Sequence, residues 1–128
     1  DHYRGVIRKR DNEASNTEAI VKLFVDEEAR HTVAEGDGPV DSLFKALSAA
    51  VRDYYPHVDN IHLVDYRVRV VNTAAETAAR VRVVIEWRDA DSGVCFGSVG
   101  VSENIIDASW LALIDAIEYK LLNEQDKG

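Results

Sequence analysis

Apolar residues recur along this chain with a two-residue period in some stretches and a three-to-four-residue period in others, and the switches between them predict the elements. Tyr3 to Arg10 reads as a short strand, followed by the polar break Asp11–Asn16, which has turn chemistry and nothing apolar to bury. Ala19, Val21, Leu23 and Val25 then alternate with mixed neighbours, the period of a half-buried strand. Asp26–Glu28 makes a polar turn, and Arg30 to Glu35 returns as the second arm of a hairpin. Gly36-Asp-Gly-Pro39 stops the sheet: Gly38 suits a helix cap, and Pro39 suits the first helical position, where its missing N–H costs nothing. The spacing of Val40, Leu43, Leu47, Val51 and Tyr54 predicts a helix from Pro39 to about Tyr54, closed by Pro56.

A second round follows with longer strands, at about Ile61 to Val71, Thr77 to Arg88 and Val94 to Ser102. In the middle one Val81, Val83, Ile85 and Trp87 point one way, and Arg80, Arg82, Val84 and Glu86 the other. Asn104 caps the last helix, with Asp107 three residues on as an imperfect capping box. Ile106, Trp110, Leu113, Ile117 and Leu121 form the predicted apolar side of that helix; Ala108, Ala112 and Ala116 form a flat flank that permits close approach.

The two rounds are copies. Thr32–Leu47 aligns without gaps on Ser98–Leu113, so that Val33 meets Val99, Asp41 meets Asp107, and Phe44 meets Trp110. The order strand-strand-strand-helix, twice, implies an α+β domain of duplicated βββα units, residues 1–56 and 57–128, with mainly antiparallel sheets and two helices. A three-stranded sheet with one helix leaves a face bare, which predicts that the units cover each other or a second subunit.

A chain of 128 residues is one ordinary domain's worth. With 15 basic against 23 acidic residues, its net charge of -8 opposes a phosphate backbone, so nucleic acid is excluded as a partner. No apolar run approaches the roughly 18 residues of a membrane span, and no signal segment opens the chain, which fits a cytoplasmic setting. The single Cys95 reads as a small buried hydrophobe. A start at Asp1 with no methionine anywhere suggests a piece of something larger.

Catalytic signatures are weak. His57 with Asp59, or His62 with Asp65, resemble acid–base or metal pairs, but no His-x-His or His-x-x-x-His spacing supports them, and solvated loop and strand-end residues explain both. No metal or other cofactor is expected. The Gly36–Pro39 turn and its copy at Ser102–Asn104 are sharper: both helix openings would flank one crevice and offer backbone N–H donors to a carboxylate. Asp37 and Glu103 would pair with an ammonium group, making a zwitterion the ligand class.

Glu35-Gly-Asp-Gly-Pro-Val-Asp41, His62-Leu-Val-Asp-Tyr-Arg-Val-Arg69, Thr77-Ala-Ala-Arg-Val-Arg-Val83 and Gly100-Val-Ser-Glu-Asn-Ile-Ile-Asp-Ala-Ser-Trp110, with Glu118-Tyr-Lys-Leu121, resemble the C-terminal regulatory domain of the 2-isopropylmalate synthase and citramalate synthase family, the citramalate branch most. The resemblance covers nearly the whole chain. It implies a non-catalytic, homodimeric domain partnered by a catalytic barrel that condenses acetyl-CoA with a 2-oxo acid. Its effector would be isoleucine in the citramalate branch and leucine in the other; a dimerisation module without ligand is the further alternative. Carried over motif by motif, the effector residues would be Gly36, Gly38, Val40, Leu63, Tyr66, Val70, Thr77, Val81, Glu103, Asn104 and Ile105.

Overall fold

The computed structural model describes residues 3–9, 17–25, 27–36, 38–71 and 79–127. The chain divides into two compact units, Asp1–Pro56 and His57–Gly128. Each is an antiparallel three-stranded sheet with one helix on it, the α+β architecture expected. Among the described residues no helix is long and apolar enough to cross a membrane.

In the first unit β1 (Tyr3–Lys9), β2 (Thr17–Val25) and β3 (Glu28–Gly36) lie in chain order. Ala19, Val21 and Leu23 of β2 are buried under α1 (Pro39–Val51), whose Val40, Leu43, Ala46, Leu47, Ala50 and Val51 make the other half of the core. The alternation and the helical stripe read from sequence therefore face each other. The helix ends at Val51, three residues short of the expected Tyr54. Approach to Pro56 excludes further helix, and the Tyr54 and Tyr55 amides instead donate to the Val51 carbonyl in a closing turn. Arg30 and Glu28 of β3 hold that turn through Asp53, at 2.7 Å, and the Tyr54 hydroxyl. Glu27, at the tip of the β2–β3 hairpin, sits at φ 69, in left-handed space.

A short 3-10 turn, Pro56–Asn60, leads into the second unit, which continues through β4 (Ile61–Val71), β5 (Arg80–Asp89), β6 (Cys95–Ser102) and α2 (Ile105–Lys127). Val83, Ile85 and Trp87 of β5 are fully buried, and Trp87 donates its indole N–H to Ser98 Oγ on β6 at 2.8 Å. Thr77, the expected start of β5, lies outside the described residues.

Two expectations fail here. Cys95 is exposed, because at the first position of β6 it opposes Arg88 on the face turned away from α2. The buried side of α2 is rotated from the predicted one: Leu113 and Ile117 are buried as expected and the flank Ala108, Ala112 and Ala116 makes the close approach it permits, but Ile106, Trp110 and Leu121 are only half-buried. The cause is Gly100 in β6. A Cβ there would collide with the Ala108 carbonyl and lie 2.7 Å from the Ala112 amide, so the helix seats its alanine flank directly on bare strand backbone. Close approach outweighs side-chain size in choosing the face.

That alanine row continues one step further to Lys120, which is fully buried. Its ammonium donates to both oxygens of Asp89 at 2.9 Å and to Asp91 at 2.8 Å. Asp91 in turn accepts two bonds from Asn60 at 3.1 Å and lies 3.3 Å from His57 Nδ1. The cluster ties the far half of α2 to the β5–β6 hairpin and to the residue before β4. Phe96 stacks on Tyr119 alongside, with centroids 4.4 Å apart.

Candidate functional site

The residues expected to hold a ligand fall in both units. In the first, Gly36 is the buried last residue of β3, where a Cβ would meet the Ser42 amide at 2.6 Å. Gly38 is the N-cap of α1 in extended conformation, with no side chain to bond the helix amides; its carbonyl accepts the first helical bond from Ser42 at 3.0 Å. Val40 is buried in its own unit's core.

The second unit opens its helix at the matching position. The Asn104 carbonyl accepts from the Ala108 amide at 3.1 Å, the bond equivalent to Gly38–Ser42. Here, though, the cap is a side chain: Asn104 Oδ1 accepts from the Asp107 amide and its Nδ2 donates to Asp107 Oδ2, both at 2.8 Å. The reciprocal box uses the Asn104 side-chain amide in place of its backbone N–H. Glu103, Asn104 and Ile105 are all exposed.

Leu63, Tyr66 and Val70 would not share one face of a regular strand, since Leu63 and Tyr66 are an odd number of residues apart. A bulge between Leu63 and Asp65 corrects this. Leu63 then opposes Trp87, Tyr66 opposes Ile85, and Val70 opposes Val81, so these residues stand on the α2 side of the sheet. The row Val70–Val81 continues across β6 to Ser102, directly before the α2 opening. Within this unit the structure therefore brings Leu63, Tyr66, Val70 and Val81 onto one face and sets Glu103–Ile105 at the end of its last row. Thr77 and Asp37 lie outside the described residues.

The helix covers β5 and β6 but leaves β4 bare. Leu63 is 37%, Val68 42% and Val70 62% exposed on the very face where Val83 and Ile85 are at 0%. Val68, which opposes Val83, belongs to this strip and was missed from sequence, although its even spacing between Tyr66 and Val70 is the signal that marks it. Tyr66 bridges the strip to the helix, its hydroxyl 3.2 Å from Ser109 Oγ on α2. Ser109, itself 2% exposed, was also missed, because a serine inside a helix carries no pattern of its own.

Members of both candidate acid–base pairs are engaged by other groups. Asp65 is engaged by Arg67 Nε at 2.8 Å, and that hydrogen bond holds its carboxyl below the usual range, unsuited to carrying a proton. His57 approaches Asp91, already occupied by Lys120. Among the described residues no three His, Cys, Asp or Glu side chains gather as metal ligands.

The repeated βββα plan, each copy turning from sheet edge straight into a helix, defines a duplicated α+β domain. Its sequence matches the family described as the LeuA allosteric (dimerisation) domain over residues 6–121, and the chain belongs to that family. Among curated proteins it is 44% identical over 129 residues to an (R)-citramalate synthase of Aquifex aeolicus, covering 100% of this chain and 24% of that protein. To the (R)-citramalate synthase of Geobacter sulfurreducens it is 42% identical, covering 97% and 23%, and to the 2-isopropylmalate synthase of Salinibacter ruber 35% identical, covering 81% and 18%. The chain thus spans about a quarter or less of the length of these relatives.

Proposed function

We propose that this chain is the amino-acid-sensing regulatory domain of a citramalate synthase, a homodimer that binds isoleucine and lowers the activity of a catalytic domain condensing acetyl-CoA with pyruvate. The exposed strip on β4 carries the reading. Leu63, Val68 and Val70 form an apolar surface on the core side of a sheet, walled by Tyr66 and ending in Val81 beside the exposed α2 opening. An aliphatic side chain laid on it would gain about 0.8 kcal/mol per buried methylene. Amide donors at the α2 opening suit its carboxylate, and the Glu103 carboxylate suits its ammonium. The family resemblance adds Thr77 and, at the helix opening of the first unit, Gly36, Gly38 and Val40 to the ligand residues we propose.

The higher identity to citramalate synthases favours isoleucine; the match to 2-isopropylmalate synthases keeps leucine as the second reading. Titration calorimetry of the chain with isoleucine, leucine and valine decides between them. Saturable heat with isoleucine ahead of the other two is expected, and leucine ahead of isoleucine would move the assignment to the other branch. A dimer in sedimentation that gives no heat with any of the three would leave a dimerisation module only.

A further inference from the structure

The face of the second sheet turned away from α2 carries a different chemistry. Its cross-strand rows are Arg69–Arg82–Val101, then Arg67–Val84–Val99, then Asp65–Glu86–Gly97. In the third row the carboxylates are already committed, since Arg67 donates to Asp65 at 2.8 Å and to Glu86 at 3.1 Å. Arg69 and Arg82 stand directly opposite each other, both exposed, and among the described residues neither has an ion-pair partner. Like charges placed face to face across a ladder destabilise it. Among the described residues no carboxylate answers this pair of cations.

Beside them lies a hollow of about 350 Å³, lined by Arg67, Val68, Arg69, Arg82 and Val84. That is the size range of small-molecule sites. Guanidinium groups present parallel N–H donors that match the two oxygens of a carboxylate or phosphate, and two of them on one small surface meet a single oxyanion from both sides. Val84, on the same face, gives the ligand's apolar part a surface to rest on.

We infer that the Arg69–Arg82 pair is a binding site for a small oxyanion, a carboxylate or phosphate group on a compact molecule, on the sheet face opposite the β4 strip. The site does not rest on the effector reading: Arg69 and Arg82 take no part in that strip, and of the residues lining the hollow only Val68 is shared with it. Arginine Nε–Hε NMR resonances of the chain, followed during titration with inorganic phosphate and with succinate against sodium chloride at matched ionic strength, test it. Saturable shifts of Arg69 and Arg82 are expected with phosphate, identifying a phosphoryl ligand, or with succinate, identifying a carboxylate. Arg69→Gln and Arg82→Gln should each weaken the response by about tenfold or more, as loss of a charged hydrogen bond does. Arg82→Lys, which keeps the charge and loses the fork, should weaken it too. Shifts that follow ionic strength alone, or saturation that survives both Gln variants, would overturn the assignment. So would saturation only by a glutamate-rich peptide, which would make the face a protein contact.

Discussion

Lys120→Met isolates the buried charge cluster. Methionine fills the volume of the lysine stem, so packing changes little, and the main loss is the ammonium that three contacts of 2.8–2.9 Å place between Asp89 and Asp91. The Asp89 side chain is 5% exposed and would be left as a buried carboxylate whose remaining support is the Asp91 amide at 2.9 Å. Breaking a buried pair from one side costs about 3–5 kcal/mol, a large share of the 5–15 kcal/mol typical of a domain. With a urea dependence of about 2 kcal/mol per molar, the midpoint should fall by about 1.5 M or more. Both tryptophans, Trp87 and Trp110, lie in the second unit, so their fluorescence reports the unfolding of that unit. Asp89→Asn added to Lys120→Met removes the stranded charge and should restore part of the loss. A midpoint shift for Lys120→Met below about 0.5 M, or a double variant no better than the single one, would refute the account of the cluster as a mutually dependent buried pair.

Acid should act through the same cluster. Lys120 lowers the Asp91 carboxyl to about 2 and holds that of Asp89 below 3.8, against its desolvation. Carboxyls depressed in the folded state stabilise it above their unfolded pKa and lose that contribution as pH falls through the folded value. Fluorescence-detected stability should therefore decline between about pH 4 and pH 2, and Asp91→Asn should flatten that decline. Gly100→Ala should destabilise the second unit by about 3 kcal/mol in urea, since its methyl group would meet helix backbone that has no rotamer to change. Ser48→Ala in α1 should be neutral or stabilising by about 1 kcal/mol in thermal melts, because its buried hydroxyl has no hydrogen-bond partner among the described residues.

Much of this fold was legible because burial in it follows simple periods. The β2 alternation, the α1 stripe and the in-register copy of a turn opening a helix each came from spacing alone. What spacing misjudged were places where one residue redefined a neighbour's environment. Gly100 made alanines the buried side of α2, and large residues such as Trp110 lost the contest that their hydrophobicity predicts. Lys120 was not singled out, although its position four residues beyond Ala116 continues the row of Ala108 and Ala112 and marks it as buried. The bulge at Leu63–Asp65 has no sequence signature, yet it determines which β4 side chains share a face. Cys95 obeys the strand's alternation, which outweighed the general preference of free cysteine for burial.

The bare-backbone seat of α2 on β6 has a mechanical consequence. Where helices rest on interdigitated side chains, small slides are absorbed by rotamer changes; here the Ala108–Ala112 segment meets main chain at Gly100, with no compliant layer between. Strand and helix should therefore travel together as a stiff lever, and a push at the start of the helix should arrive, undamped, at its far end.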